Sequence, residues 1–123
     1  MPVRWAIRED YLAFALIGDH STEELKDASA AALASAEFKP GLPILIDARS
    51  TLGYPSQYEM QKRLRWLASL PKSGTSRRCA IVAAEARKKM VERRAAKARA
   101  LGMLIGVFTD LEKALKWLKG KSP

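Results

Sequence analysis

The sequence predicts an α/β fold of order ββαβαβαβα, a mostly parallel sheet with an N-terminal hairpin and helices covering the sheet. Three observations carry that prediction. Short apolar runs at 44–47, 79–83 and 103–108 alternate with helical segments. These runs are apolar on both faces, as parallel strands covered by helices require. Three capping boxes, Ser21 with Glu24, Ser56 with Glu59 and Thr109 with Glu112, each open an apolar-periodic stretch.

Taken in order, Val3, Trp5 and Ile7 alternate with Arg4 and Arg8, the period-two pattern of a strand with one wet face. Glu9-Asp10 offers a tight turn, and the apolar stretch 11–17 reads as the second strand of the hairpin. Gly18-Asp19-His20 ends it. The Ser21 box then opens a helix whose buried stripe is Leu25, Ala28, Ala32, Leu33 and Ala36. The run FKPGLP breaks this helix before the central strand. The helix over 57–70 shows Met60, Leu64, Leu67 and Ala68 on its buried side, which leaves Trp66 and Leu70 outward beside Lys62 and Arg63. KSGTSRR, 72–78, reads as a loop. The helical run 86–101 places Met90, Val91, Ala98 and Leu101 on one arc, with Arg87 and Arg94 pointing into it and Gly102 as C-cap. A last helix starts near 110.

At 123 residues, with 48% hydrophobic and 28% charged residues, the expectation is one domain over 1–120 with a tail at 121–123. The single cysteine, Cys79, cannot form an internal disulfide and lies in an apolar run, which fits a reducing compartment. No basic start followed by an apolar stretch is present, and no run approaches a membrane-spanning length, so a cytoplasmic location is expected. The net charge of +9 is concentrated: residues 62–101 hold 13 Lys/Arg against 2 Glu. Such asymmetry attracts anionic partners.

The element order, the strand LIDAR and the closing LEKALKWLKG resemble the STAS-like fold of anti-sigma-factor antagonists. Closer still is the resemblance to the SpoIIAA-like group of small bacterial STAS proteins. That group shows a tryptophan in the first strand, an F-x-PG turn, an L-I-D-x-R strand and an A-x-x-WL helix. Here these fall at Trp5, 38–41, 45–49 and 114–118. The resemblance implies a non-catalytic binding module with a pocket between helices and sheet suited to nonpolar or lipid-like molecules, and kinship in fold with CRAL-TRIO lipid carriers. In the antagonists one serine of an Asp-Ser-Ser-Gly helix start is phosphorylated. Of that motif only Ser56 survives here, so it is a phosphorylation candidate whose ordinary role would be an N-cap.

Ligands of open α/β sheets collect at the carboxyl ends of the parallel strands, where this chain places Asp47, Glu85 and Asp110. Three carboxylates there could hold Mg²⁺, but acids at helix starts are ordinary, and no metal or cofactor is expected. His20, the one histidine, reads as a surface-turn residue, and no nucleophile elbow, P-loop, dinucleotide fingerprint or CxxC occurs, so no enzyme is expected. The expected ligand-binding residues are Asp47, Arg49, Tyr54, Trp66, Arg87, Met90 and Arg94. The expected partners are an apolar small molecule or lipid, a regulatory protein, a second copy of the chain, or an anionic membrane touched by the basic helix. Nonspecific nucleic-acid binding through 62–101 and a phospho-switched regulator at Ser56 are the alternatives. Nucleic acid is disfavoured because no aromatic lies between 72 and 107.

Overall fold

Strands β1 (Val3–Ile7), β2 (Leu12–Gly18), β3 (Leu42–Thr51), β4 (Thr75–Val82) and β5 (Leu104–Phe108) form one sheet in the spatial order β1-β2-β3-β4-β5. The structure, a computed structural model, describes residues 2–8, 10–53, 55–69, 75–100 and 104–120. The hairpin pairs antiparallel, with Val3 opposite Leu16 and Ile7 opposite Leu12. Every later pairing is parallel, through Ile46 opposite Ile81 and Ile81 opposite Val107 in the centre.

Helices α1 (Thr22–Leu33), α2 (Gln57–Ser69) and α3 (Lys88–Arg99) connect successive parallel neighbours, and α4 (Leu111–Lys119) closes the chain. Because each crossover is right-handed and each steps one strand further in the same direction, α1, α2 and α3 fall on one face of the sheet. The core divides accordingly. Leu25, Ala32, Met60, Val91, Ala95 and Ala98 of those helices bury against Leu12, Phe14, Leu16, Ile44, Cys79 and Ile81. On the other face, Ala114 and Leu118 of α4 bury against Leu45, Ala80 and Val82. Alternation along β3 thus sends Ile44, Ile46 and Ala48 to the three-helix face and Leu45 and Asp47 to the α4 face.

The Ser21 box forms in both directions: Glu24 N–H donates to Ser21 Oγ and Ser21 N–H to Glu24 Oε1, each at 3.0 Å. At Ser56 the forward bond is present, Glu59 N–H to Ser56 Oγ at 3.1 Å. The Glu59 carboxylate, however, accepts from Thr22 at 3.1 Å and pairs with Lys62 at 3.2 Å.

Several expectations are corrected. The cap of α4 is Asp110, one residue beyond Thr109, because its carboxylate accepts from two backbone N–H groups, those of Glu112 and Lys113, where a hydroxyl would satisfy fewer. β3 runs on to Thr51, and β4 begins at Thr75, so residues 75–78 are strand rather than loop. The ladder continues through Leu42 opposite Thr75 and Arg78 opposite Leu104, and the Arg78 guanidinium stacks 4.6 Å from the Trp117 ring. Residues 85–87 form a 3-10 turn that delays α3 to Lys88. Trp5 is 36% exposed at the sheet edge instead of packed beside Val3. The expected C-cap Gly102, with Leu101 and Leu70, lies outside the described residues, as do the side chains of Leu64, Leu67 and Ala68.

Candidate functional site

Between α1, α2, α3 and the sheet lies a cavity of about 60 Å³ whose walls include Phe14, Leu16, Leu25, Ile44, Ile46, Met60, Cys79, Ile81 and Val91. Its floor is the face of β2, β3 and β4 selected by alternation, and its roof is the α1–α2 pair. Cys79 on the floor is fully buried, and burial pushes its thiol up to about 12, so it stays protonated and packs as an apolar group.

One end of the cavity is polar, and its residues are His20, Thr51 and Arg63. Gly18, at φ 61, turns the chain out of β2, and the Ser21 cap fixes where α1 begins, so His20 is held at the junction. Thr51, the last residue of β3, approaches it: Thr51 Oγ1 lies 3.3 Å from His20 Nδ1 and 3.1 Å from the carbonyl oxygens of both Gly18 and Gly53. With the hydroxyl proton given to a carbonyl, Oγ1 accepts from Nδ1–H. His20 Nε2 is then a bare lone pair, buried and without a hydrogen-bond partner among the described residues. Burial first, and the Arg63 charge second, hold the imidazole below its ordinary pKa.

Arg63 is only 9% exposed. Its Nε donates to Thr22 Oγ1 at 3.1 Å, and Thr22 in turn donates to Glu59, so one buried hydroxyl joins α1 to α2. No carboxylate of the described residues lies within ion-pairing distance of the guanidinium, and burial lowers its pKa, with Glu59 opposing more weakly. A buried cation without a bonded counter-charge is expensive.

The expected site residues separate sharply. Asp47 and Arg49 stand on the α4 face, away from the cavity, and close on each other: Arg49 Nε and Nη2 reach the two carboxylate oxygens at 2.9 and 2.8 Å, and the Arg49 amide adds a third bond at 3.1 Å. That fork holds the Asp47 carboxyl below the usual range. Trp66 is not outward; it is half-buried and lines the cavity, with Lys26 Nζ 5.7 Å from its ring centre. Arg94 leaves the apolar arc by donating to the Pro55 carbonyl of the β3–α2 connection. Arg87 is exposed in the 3-10 turn, since the helix starts after it. Met90 is half-buried on α3 and is not among the cavity-lining residues. Tyr54 lies outside the described residues. Ser56 is an exposed cap. Asp47, Glu85 and Asp110 do not assemble, and among the described residues no group of three His, Cys, Asp or Glu side chains could hold a metal.

His20 and Arg63 were legible as residue types but not as site residues. The available signal was the i, i+3 series Met60, Arg63, Trp66, which is the stripe α2 turns inward.

A five-stranded, mostly parallel sheet with three helices and a cavity on one face and a single helix on the other defines the SpoIIAA-like form of the STAS-like α/β fold. The chain belongs to the SpoIIAA-like family, whose model matches residues 11–119. Among solved structures it is similar to an uncharacterized protein of the DUF3478 family with a SpoIIAA-like fold from Shewanella loihica PV-4. The two are 23% identical over 94% of this chain and 91% of that one, with a TM-score of 0.58, a likeness of fold. No curated protein matches. Among the described residues no helix is long and apolar enough to cross a membrane.

Proposed function

We propose that the chain is a non-catalytic binding module that takes a small apolar or lipid-like molecule between the sheet and α1, α2 and α3. The observation that carries this reading is a cavity enclosed by apolar side chains from three strands and three helices but opening on the polar cluster His20, Thr51 and Arg63. An apolar chamber with a few convergent polar groups is the usual form of a small-molecule site. At about 60 Å³ it is well short of the ~150 Å³ engineered cavity that holds benzene. A chain of a few methylene groups therefore fits the chamber as it stands, and a longer one requires α2 to move outward.

Native mass spectrometry of gently purified protein, set against its denatured mass, tests this directly. An additional mass extractable into organic solvent is the expected result. A bare chain that also fails to bind short-chain apolar probes in calorimetry would refute the reading.

A second reading rests on α3, where Lys88, Lys89, Arg93 and Lys97 are exposed on a helix whose buried side is Val91, Ala95 and Ala98. This face supports peripheral contact with an anionic membrane from which a lipid-like ligand would be drawn. Flotation with vesicles containing anionic lipid, lost when Lys88 and Lys89 are changed to Glu, is expected; flotation indifferent to lipid charge would overturn it.

A further inference from the structure

Arg63 and His20 are an incomplete site. Among the described residues a guanidinium that is 9% exposed donates one bond, to a neutral hydroxyl, and no acid is near enough to pair with it. Beside it on the same cavity rim is an imidazole nitrogen with no partner among the described residues. Native interiors leave few buried polar atoms unmatched, and here one such atom, His20 Nε2, shares a chamber with a largely buried cation that has no acid within pairing distance among the described residues. What Arg63 lacks is an acceptor carrying negative charge, and what Nε2 lacks is a proton, with which it would become a second donor to that acceptor.

We infer that the polar end of this cavity receives the carboxylate of a short-chain, single-headed amphiphile, with Arg63 as its ion-pair partner and His20 Nε2 as its second contact. The inference rests on the binding-module reading above and assigns the ligand's head group. Arginine's planar fork matches a carboxylate with two parallel bonds, and the acyl chain extends over Phe14, Ile44 and Val91, with α2 moving outward to admit a six-carbon chain. A carboxylate suits the site better than a phosphate. A single guanidinium with one imidazole supplies the two or three donors a carboxylate takes and fewer than a phosphate's oxygens would need.

The lone pair on Nε2 repels a carboxylate, so one proton must be taken from solvent on binding, converting Nε2 to N–H and making it a donor to the second ligand oxygen. Burial first and Arg63 on α2 second oppose that protonation, while Glu24 on α1, the Gly18 carbonyl and Asp19 in the preceding turn favour it. Once the ligand's charge neutralises Arg63, that share of the opposition falls, and the ligand's negative charge beside Nε2 offsets the cost of burial. Binding and protonation are thereby coupled.

Isothermal titration of the full chain with hexanoate, hexyl phosphate and hexan-1-ol is the test. Hexanoate should bind roughly tenfold to a hundredfold tighter than hexanol, the worth of a charge-assisted contact, and hexyl phosphate should bind less tightly than hexanoate. Arg63→Gln should reduce hexanoate to the level of hexanol and leave hexanol unchanged, with folding checked by circular dichroism. Arg63→Lys, which keeps the charge, serves if the glutamine variant does not fold, and should retain part of the preference. Hexanoate affinity should rise about tenfold per unit fall in pH from 8 toward 7, with uptake of one proton seen as a buffer-dependent heat, and His20→Gln should abolish that dependence. Equal binding of hexanoate and hexanol, or an equal loss of both in the Arg63 variants, overturns the head-group assignment while the apolar cavity stands. Tighter binding of hexyl phosphate overturns the carboxylate assignment. Binding of none of the three overturns the binding-module reading itself.

Discussion

Replacing Arg63 by Met should make the ligand-free protein more stable and its anion recognition worse. The guanidinium is 9% exposed and its one hydrogen bond among the described residues runs 3.1 Å to Thr22. Glu59, the acid that faces it, spends its oxygens on Thr22 at 3.1 Å and Lys62 at 3.2 Å. Removing the side chain forfeits a bond worth about 1.5–3 kcal/mol when the donor is charged. It also removes a desolvation cost of several kcal/mol that no close ion pair offsets. Methionine has similar reach, no charge, and the flexibility to fill the space beside Met60 and Trp66. Thr22 keeps its bond to Glu59, so no polar atom is stranded by the change.

The net expectation is a gain of about 1–2 kcal/mol. For a chain of this size that is a rise in Tm of about 4–8 °C, read by differential scanning calorimetry at pH 8 without ligand. Hexanoate titration of the same sample should show the lost preference. A Tm lowered by several degrees with hexanoate binding intact would refute the reasoning, because it would mean that the guanidinium is compensated in the free protein and serves the fold.

Gly106→Ala should cost about 1–3 kcal/mol, since a Cβ there would stand 2.7 Å from the Phe108 ring, and should change the fluorescence of Trp117, whose ring lies 5.7 Å from that of Phe108. Ser56→Ala should cost about 1 kcal/mol through loss of the bond to the Glu59 amide, while Ser56→Asp, which keeps a cap acceptor, should melt near the wild type. Stability should fall as pH drops below 6.5, because His20 is held below that value in the folded chain and the unfolded chain takes up the proton first. The loss grows until the folded imidazole itself protonates, and His20→Gln should flatten that part of the curve in urea titrations.

Much of the fold was legible because its determinants are local. The three parallel strands, the Ser21 and Ser56 caps and the Met60 and Val91 contacts all follow from residues within a turn or two of one another. The cavity's polar end was not, because its partners are distant: Thr22 meets Arg63 across 41 positions and Thr51 meets His20 across 31. A helical wheel treats arginine as a solvent-facing residue, and so turned α2 by about one position, putting Arg63 and Trp66 outside. Nothing within α2 reveals that a buried hydroxyl from α1 waits opposite Arg63. Likewise, Arg87 and Arg94 share an arc only if α3 begins before 87, and the 3-10 turn at 85–87, which has no side-chain cap, is announced by no capping box.

The strand-end acid looked like the natural site, and sheet parity decides against it. Ile46 and Ala48 face the cavity, so Asp47 between them must face α4, and Arg49, two residues on, shares its side. There the pair closes on itself: three bonds at 2.8–3.1 Å occupy three of the carboxylate's roughly four lone-pair sites and one edge of the guanidinium fork. The side chains are 43% and 28% exposed, which limits the worth of the pair to about 0–1 kcal/mol. Asp47→Ala should therefore lower stability slightly, through a contribution present above pH 3.8 and lost as pH falls through the depressed folded value. It should leave hexanoate affinity within about twofold of wild type, since ligand and pair stand on opposite faces of the sheet. A tenfold change in that affinity would show that the two faces communicate through β3, and would move the site toward the strand end after all.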